Sequence, residues 1–166
     1  MKNLFFAILV ISAAVVSCRS DDDSVQKIDQ VVHLYIDSAG TDMLNSKIKN
    51  TYQSVKMNDV NGFTDTAPVT STQTFGKDSI YYLEYVSGAR KILVDSSVVD
   101  AKIYQSKIAL IFTKKNQDST LSTFSDTLKL NYLSKPDIFK IDKIWYNNKP
   151  VSFEKVADAN LIKIVK

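Results

Sequence analysis

The chain has 166 residues, 45% hydrophobic and 23% charged, which is enough for one domain with a packed core and tight for two. Its formal charge of +3, with basic and acidic residues interspersed, provides no field of the kind that gathers nucleic acid. Eight tyrosines and eight phenylalanines against four glycines and three prolines exclude collagen-like and Pro/Gly-rich disordered chains. The single cysteine excludes an intrachain disulfide and zinc sites built on several thiolates.

Chain order starts with a short positive segment, Met1-Lys2-Asn3, followed by the apolar block Leu4 to Val16, in which Ser12 is the one polar residue. The block has the length of a secretion-signal core and falls short of the roughly 20 residues a membrane-spanning helix needs. Ser17 then precedes Cys18, and Val15-Val16-Ser17-Cys18 resembles the lipobox of bacterial lipoproteins: aliphatic, variable, small, cysteine. The resemblance implies removal of residues 1–17, a diacylglyceryl thioether on Cys18 and acylation of the new N-terminus. Each buried methylene contributes about 0.8 kcal/mol and one acyl chain anchors only marginally, so two or three chains make the attachment effectively permanent. Ser20, Asp21, Asp22 and Asp23 resemble the acidic export signal that follows the anchor in many Bacteroidota lipoproteins. That likeness implies an outer-membrane protein exposed at the cell surface. A run of three aspartates is in any case a solvated, self-repelling tether, so the expected organisation is signal peptide 1–17, acylated tether 18–27 and a single domain 28–166.

From Val31 onward the dominant pattern is alternation. Val31 to Ile36 sets Val32, Leu34 and Ile36 on one face and His33 and Tyr35 on the other, and the turn residues of Asp37-Ser38-Ala39-Gly40-Thr41-Asp42 follow. Further strands are expected at Thr51 to Met57, Ser79 to Val86, Ala89 to Asp95, Ser106 to Thr113, Thr127 to Leu133, Ile138 to Tyr146, Val151 to Val156 and Leu161 to Val165. Ser87-Gly88 predicts a hairpin between Ser79 to Val86 and Ala89 to Asp95. Asp59 to Phe75 reads as one long loop, and the polar segment Lys114 to Asp126 as a loop or hairpin end. Phe139 and Ile141 alternate on odd numbers but Ile144 and Tyr146 on even ones, which predicts a β-bulge near Asp142-Lys143. Seven to nine short strands and no helical periodicity predict an all-β, antiparallel, immunoglobulin-like sandwich, with an up-and-down barrel as the alternative. The segment Ser125 to Val151, with its Asp126-Thr127-Leu128 strand start and late Tyr146-Asn147-Asn148-Lys149 turn, resembles small Bacteroidota surface lipoproteins of unassigned function. That family implies no activity.

Chemistry is sparse. His33, the one histidine, sits mid-strand and reads as a half-exposed strand residue rather than a general base. Glutamate occurs only at Glu84 and Glu154, and no acid pair stands out for glycoside hydrolysis. Asp37 and Asp42 provide oxygens for a hard cation, but in that turn they suit backbone capping better. Tyr81, Tyr85, Trp145 and Tyr146 are the candidates for a ligand-binding aromatic platform, with Trp145 and Tyr146 required to face opposite sides of their strand. The expectation is a non-catalytic envelope module with no cofactor and no metal, held to the membrane through lipid on Cys18 and meeting an envelope protein or glycan. A small lipid-anchored hydrolase or a dedicated glycan binder is the alternative.

Overall fold

The computed structural model describes residues 25–116 and 118–166. The signal segment, Cys18 and Ser20 to Asp23 therefore lie outside the described residues. Within them are fourteen strands and no helix, in two packed sheets. The first sheet runs β1 (Lys27–Asp29), β11 (Ile138–Tyr146), β10 (Leu121–Ser134), β9 (Lys102–Lys115), β4 (Tyr52–Asp59) and β5 (Pro68–Val69), with β12 (Lys149–Val151) beside β11 and β8 (Ile92–Asp95) beside β9. The second runs β13 (Glu154–Val156), β14 (Ala159–Val165), β2 (Val31–Ser38), β7 (Tyr81–Tyr85) and β6 (Ser71–Phe75), with β3 (Thr41–Asp42) beside β2.

Alternation fixes which faces meet. Val32, Leu34 and Ile36 of β2, Leu83 and Tyr85 of β7, and Ile162 and Ile164 of β14 point inward from the second sheet. They meet Ile108, Leu110 and Phe112 of β9, Leu128, Leu130 and Tyr132 of β10, and Ile141 and Ile144 of β11. Each such side chain contributes about 1.5–3 kcal/mol through burial, and a one-residue slip of any strand would turn its whole set outward. The expected bulge is present: Asn131 pairs with Lys143 and Tyr132 with Ile141, leaving Asp142 unpaired. Ile141 and Ile144 are thereby both buried.

Several expectations need correction. Ser87-Gly88 closes no hairpin, because β7 pairs with β2 and β6 while β8 pairs with β9 in the other sheet. Residues 86–91 instead carry the chain across the sandwich. Asp59 to Phe75 is not one loop, since it contains β5 and the edge strand β6. The two central strands are not short: β9 and β10 are 14 residues each and stay in register throughout, and beyond them Asn116 N donates to the Thr120 carbonyl at 2.8 Å. Pairing is also not wholly antiparallel, because β1 runs parallel to β11 and β2 parallel to β14.

The N-terminal segment makes this mixture. It enters on the first sheet at β1, crosses at Gln30 and continues on the second sheet as β2. Asn160, buried, holds the crossing by donating from Nδ2 to Asp29 Oδ1 at 2.9 Å and to the Val31 carbonyl at 3.0 Å. The packed structure begins slightly before the expected tether end, since Gln26 Nε2 donates to the Lys135 carbonyl and Lys27 N to the Asp137 carbonyl. The described chain thus enters the sandwich at the end formed by Lys102, Ser134 and Ile138. The opposite, distal end is formed by the Lys115 and Leu121 ends of β9 and β10 and by the loop between β3 and β4. At about 3.4 Å per residue, the 14 residues of β9 separate the two ends by roughly 45 Å.

Candidate binding surface

The four candidate aromatics do not form one platform. Tyr85 is fully buried, its hydroxyl accepting the Ala89 backbone N–H at 2.9 Å, so it presents nothing to a ligand. Its inward direction follows from Leu83 two residues earlier, also buried. Tyr81 packs against the core and against Phe75, ring centroids 4.9 Å apart. Tyr146 points inward and donates its hydroxyl to Asp126 Oδ2. Trp145 alone faces outward, beside Pro150 of β12, and the Lys129 ammonium lies 4.2 Å from its ring centroid. A sugar stacking on that face of the ring must first displace Lys129.

Asp37 and Asp42 are occupied by backbone. Asp37 Oδ1 accepts Gly40 N at 3.1 Å across a turn in which Ala39 and Gly40 have φ of 50° and 79°. Asp42 accepts Leu44 N and Tyr81 N, each at 2.9 Å. Among the described residues no cluster of His, Cys, Asp and Glu is suited to a metal ion. His33 is half-buried on the outer face of the second sheet, its Nε2 3.1 Å from Glu84 Oε2 and its ring centroid 4.3 Å from that of Tyr82.

Sequence reading missed a polar cluster at the end of the core where β1 enters. The Tyr132 hydroxyl lies 3.0 Å from Ser106 Oγ and donates to Ser87 Oγ at 3.1 Å, while Ser87 Oγ donates to the Gln30 carbonyl at 2.7 Å. Lys91 Nζ donates to the Ser87 carbonyl at 2.7 Å and sits over the Tyr132 ring. Serine, tyrosine and lysine in company suggest nucleophilic chemistry, but the geometry does not deliver it. Ser87 is 2% exposed and Tyr132 and Ser106 are fully buried. Burial pushes the Tyr132 hydroxyl up, away from the range a base requires, and the Lys91 ammonium, although lowered by burial, is hydrogen-bonded to the Ser87 carbonyl and not to a hydroxyl. The cluster ties together the two places where the chain changes sheets, Gln30 and residues 86–91. Backbone groups freed at such crossings need partners inside a low-dielectric core. Ser87 itself is held at φ 49°.

A cleft lies at the distal end. Lys47, Lys49 and Asn50 from the loop between β3 and β4, Gln53 of β4, and Lys115 and Asn116 at the hairpin tip enclose about 400 Å³, together with Ser46, Ile48 and Thr51. The local structure is set by Asn45 and Thr51. Asn45 Oδ1 accepts Lys47 N, and the Thr51 hydroxyl lies 2.7 Å from the carbonyls of Asn45 and Ile48. Three lysines therefore border the cleft together with amide and hydroxyl residues, and no Asp or Glu is among its described lining residues, a composition that favours anions. The sequence signal was Lys47-Ile48-Lys49, but its partner Lys115 is far along the chain and only the fold brings it near.

Comparison with protein-family models, with curated proteins and with solved structures finds no match.

Proposed function

We propose that this chain is a lipid-anchored cell-envelope protein, a non-catalytic binding module tethered through Cys18 that offers its distal end to an anionic envelope polymer. Supporting this reading is the polarity of the domain: β1 enters at one end, and the lysine-lined cleft lies at the other. A chain fixed to a bilayer at Cys18 and spaced by an acidic tether would hold that cleft roughly 45 Å beyond its point of attachment. Amide and hydroxyl groups beside the lysines match the hydroxyls and acid groups of a phosphorylated or carboxylated glycan. The outer-membrane, surface-exposed location rests on the lipobox and acidic-signal resemblances.

The test is recovery of envelope polysaccharide with the tethered protein from intact cells, comparing the natural chain with a Lys47→Ala/Lys49→Ala/Lys115→Ala variant. The variant is expected to remain membrane-bound and to lose acidic polymer, as is the natural chain at raised salt, where screening weakens exposed charge pairs. Equal recovery by both proteins refutes the cleft as the binding site.

A further inference from the structure

At the distal end, next to the cleft but inside the sandwich, the chain surrounds one of its own cations. Lys166 Nζ lies 4.0 Å from the ring centroid of Phe112, 4.9 Å from Phe124, 5.4 Å from Tyr52 and 5.8 Å from Tyr146, and it pairs with Asp126 Oδ2. Four aromatic faces and one carboxylate around a single ammonium is the arrangement that ring quadrupoles favour for a desolvated cation.

The cage residues are also held by one another. Tyr52 and Phe112 are buried and in contact, ring centroids 4.7 Å apart, and Phe124 stacks on Phe112 at 5.2 Å. Asp126 is oriented by the Tyr146 hydroxyl on Oδ2 and by Asn147 Nδ2 on Oδ1. None of these contacts involves Lys166. Lys166 is held otherwise by two hydrogen bonds beyond the last pair of β14 and β2: its N–H donates to the Asp37 carbonyl at 2.8 Å and its backbone oxygen accepts from Ser38 Oγ at 3.0 Å. Solvent reaches the cage, since Phe124 is 40% exposed and the Lys166 side chain 21%.

We propose that Tyr52, Phe112, Phe124, Tyr146 and Asp126 form a binding site for a primary alkylammonium group on a small molecule, with Lys166 as an internal occupant that such an amine displaces. A primary ammonium is favoured over a quaternary one because Asp126 asks for an N–H donor and the 4.0 Å approach to Phe112 leaves no room for a methyl group between nitrogen and ring. The site is separate from the lysine-lined cleft and has the opposite charge preference.

The test uses Lys166→Ala and the natural chain, each with methylammonium, tetramethylammonium or sodium chloride at matched ionic strength. Lys166→Ala is expected to melt at lower temperature, to regain midpoint with methylammonium and to gain nothing further with the other two salts. Adding Asp126→Asn is expected to abolish the recovery. In the natural chain with labelled lysine, the ε-methylene signal of Lys166 is expected upfield of other lysines through ring currents and to move to the free-lysine position as methylammonium rises. No methylammonium-specific recovery means that Lys166 is only a latch between the sheets, and overturns the proposal; equal recovery by tetramethylammonium overturns the primary-amine assignment. If Lys166→Ala does not fold, the natural chain decides alone: a displaced signal supports the site and an unmoved one overturns it.

Discussion

Replacing Tyr132 by Phe removes one oxygen from the buried polar cluster and nothing from the packing. The hydroxyl serves Ser106 Oγ at 3.0 Å and Ser87 Oγ at 3.1 Å, and the two serines are not left in the same condition. Ser87 retains the Gln30 carbonyl at 2.7 Å. Ser106, fully buried, is left with no side-chain partner, and a buried hydroxyl so orphaned costs about 1–3 kcal/mol. Ser106→Ala removes the orphan in advance. In that background Tyr132→Phe should cost less, giving a coupling of about 1 kcal/mol in a double-mutant cycle. Urea unfolding reads this directly. With a slope of about 1–3 kcal/mol per molar, Tyr132→Phe alone should lower the midpoint by roughly 1 M, and by distinctly less when Ser106 is already alanine. An equal loss in both backgrounds refutes the view that this cluster is a mutually satisfied tie between the sheet crossings.

Other consequences are as direct. Burial alone would raise the Asp126 carboxyl, but hydrogen bonds from Lys166, Tyr146 and Asn147 outweigh burial and hold it below the usual range. Its stabilisation is therefore complete above the unfolded value of about 3.9 and is lost as pH falls through the lower folded value. The stability gap between the natural chain and Asp126→Asn should be widest near neutral pH and shrink below about pH 4 in acid-unfolding curves. Deleting Asp142 removes the bulge and leaves Ile141 and Ile144 two positions apart, still on one face, so the chain should fold with a loss of less than about 2 kcal/mol. Deleting Asn131 from the facing strand should prevent folding, because it turns one half of β10 inside out; circular dichroism separates the two outcomes. Trp145 is the only tryptophan, so its fluorescence isolates the outer face of the first sheet. Lys129→Ala should increase acrylamide quenching by uncovering the ring, and unchanged quenching counts against the stacked lysine.

The legible parts of the fold were those where burial is one-sided. Val32, Leu34 and Ile36 alternate cleanly with half-exposed neighbours, and the phase change between Ile141 and Ile144 announced the bulge. Edge strands gave no such signal: Ser71-Thr72-Gln73-Thr74-Phe75 is exposed or half-exposed along its length, so nothing apolar marks its period, and only its threonines hinted at a strand. The distal half of β10 was hidden for the same reason, with Leu121 and Phe124 both exposed. The failed hairpin at Ser87-Gly88 has a different cause. Its neighbours are held by distant groups, Arg90 N by Asp59 Oδ2 at 2.6 Å and Ser87 Oγ by the Gln30 carbonyl, and a local turn rule contains no information about either. The sites show the same division. That Trp145 and Tyr146 face opposite sides follows from strand geometry alone, whereas the cage around Lys166 gathers residues from β4, β9, β10, β11 and the segment after β14, which no spacing connects.

The central claim is attachment through one sulfur atom, and mass spectrometry of the N-terminal peptide from membrane-extracted protein tests it. The account predicts a first residue of Cys18 carrying a diacylglyceryl thioether. An unmodified Cys18, or a mature chain that starts at any other residue, contradicts it.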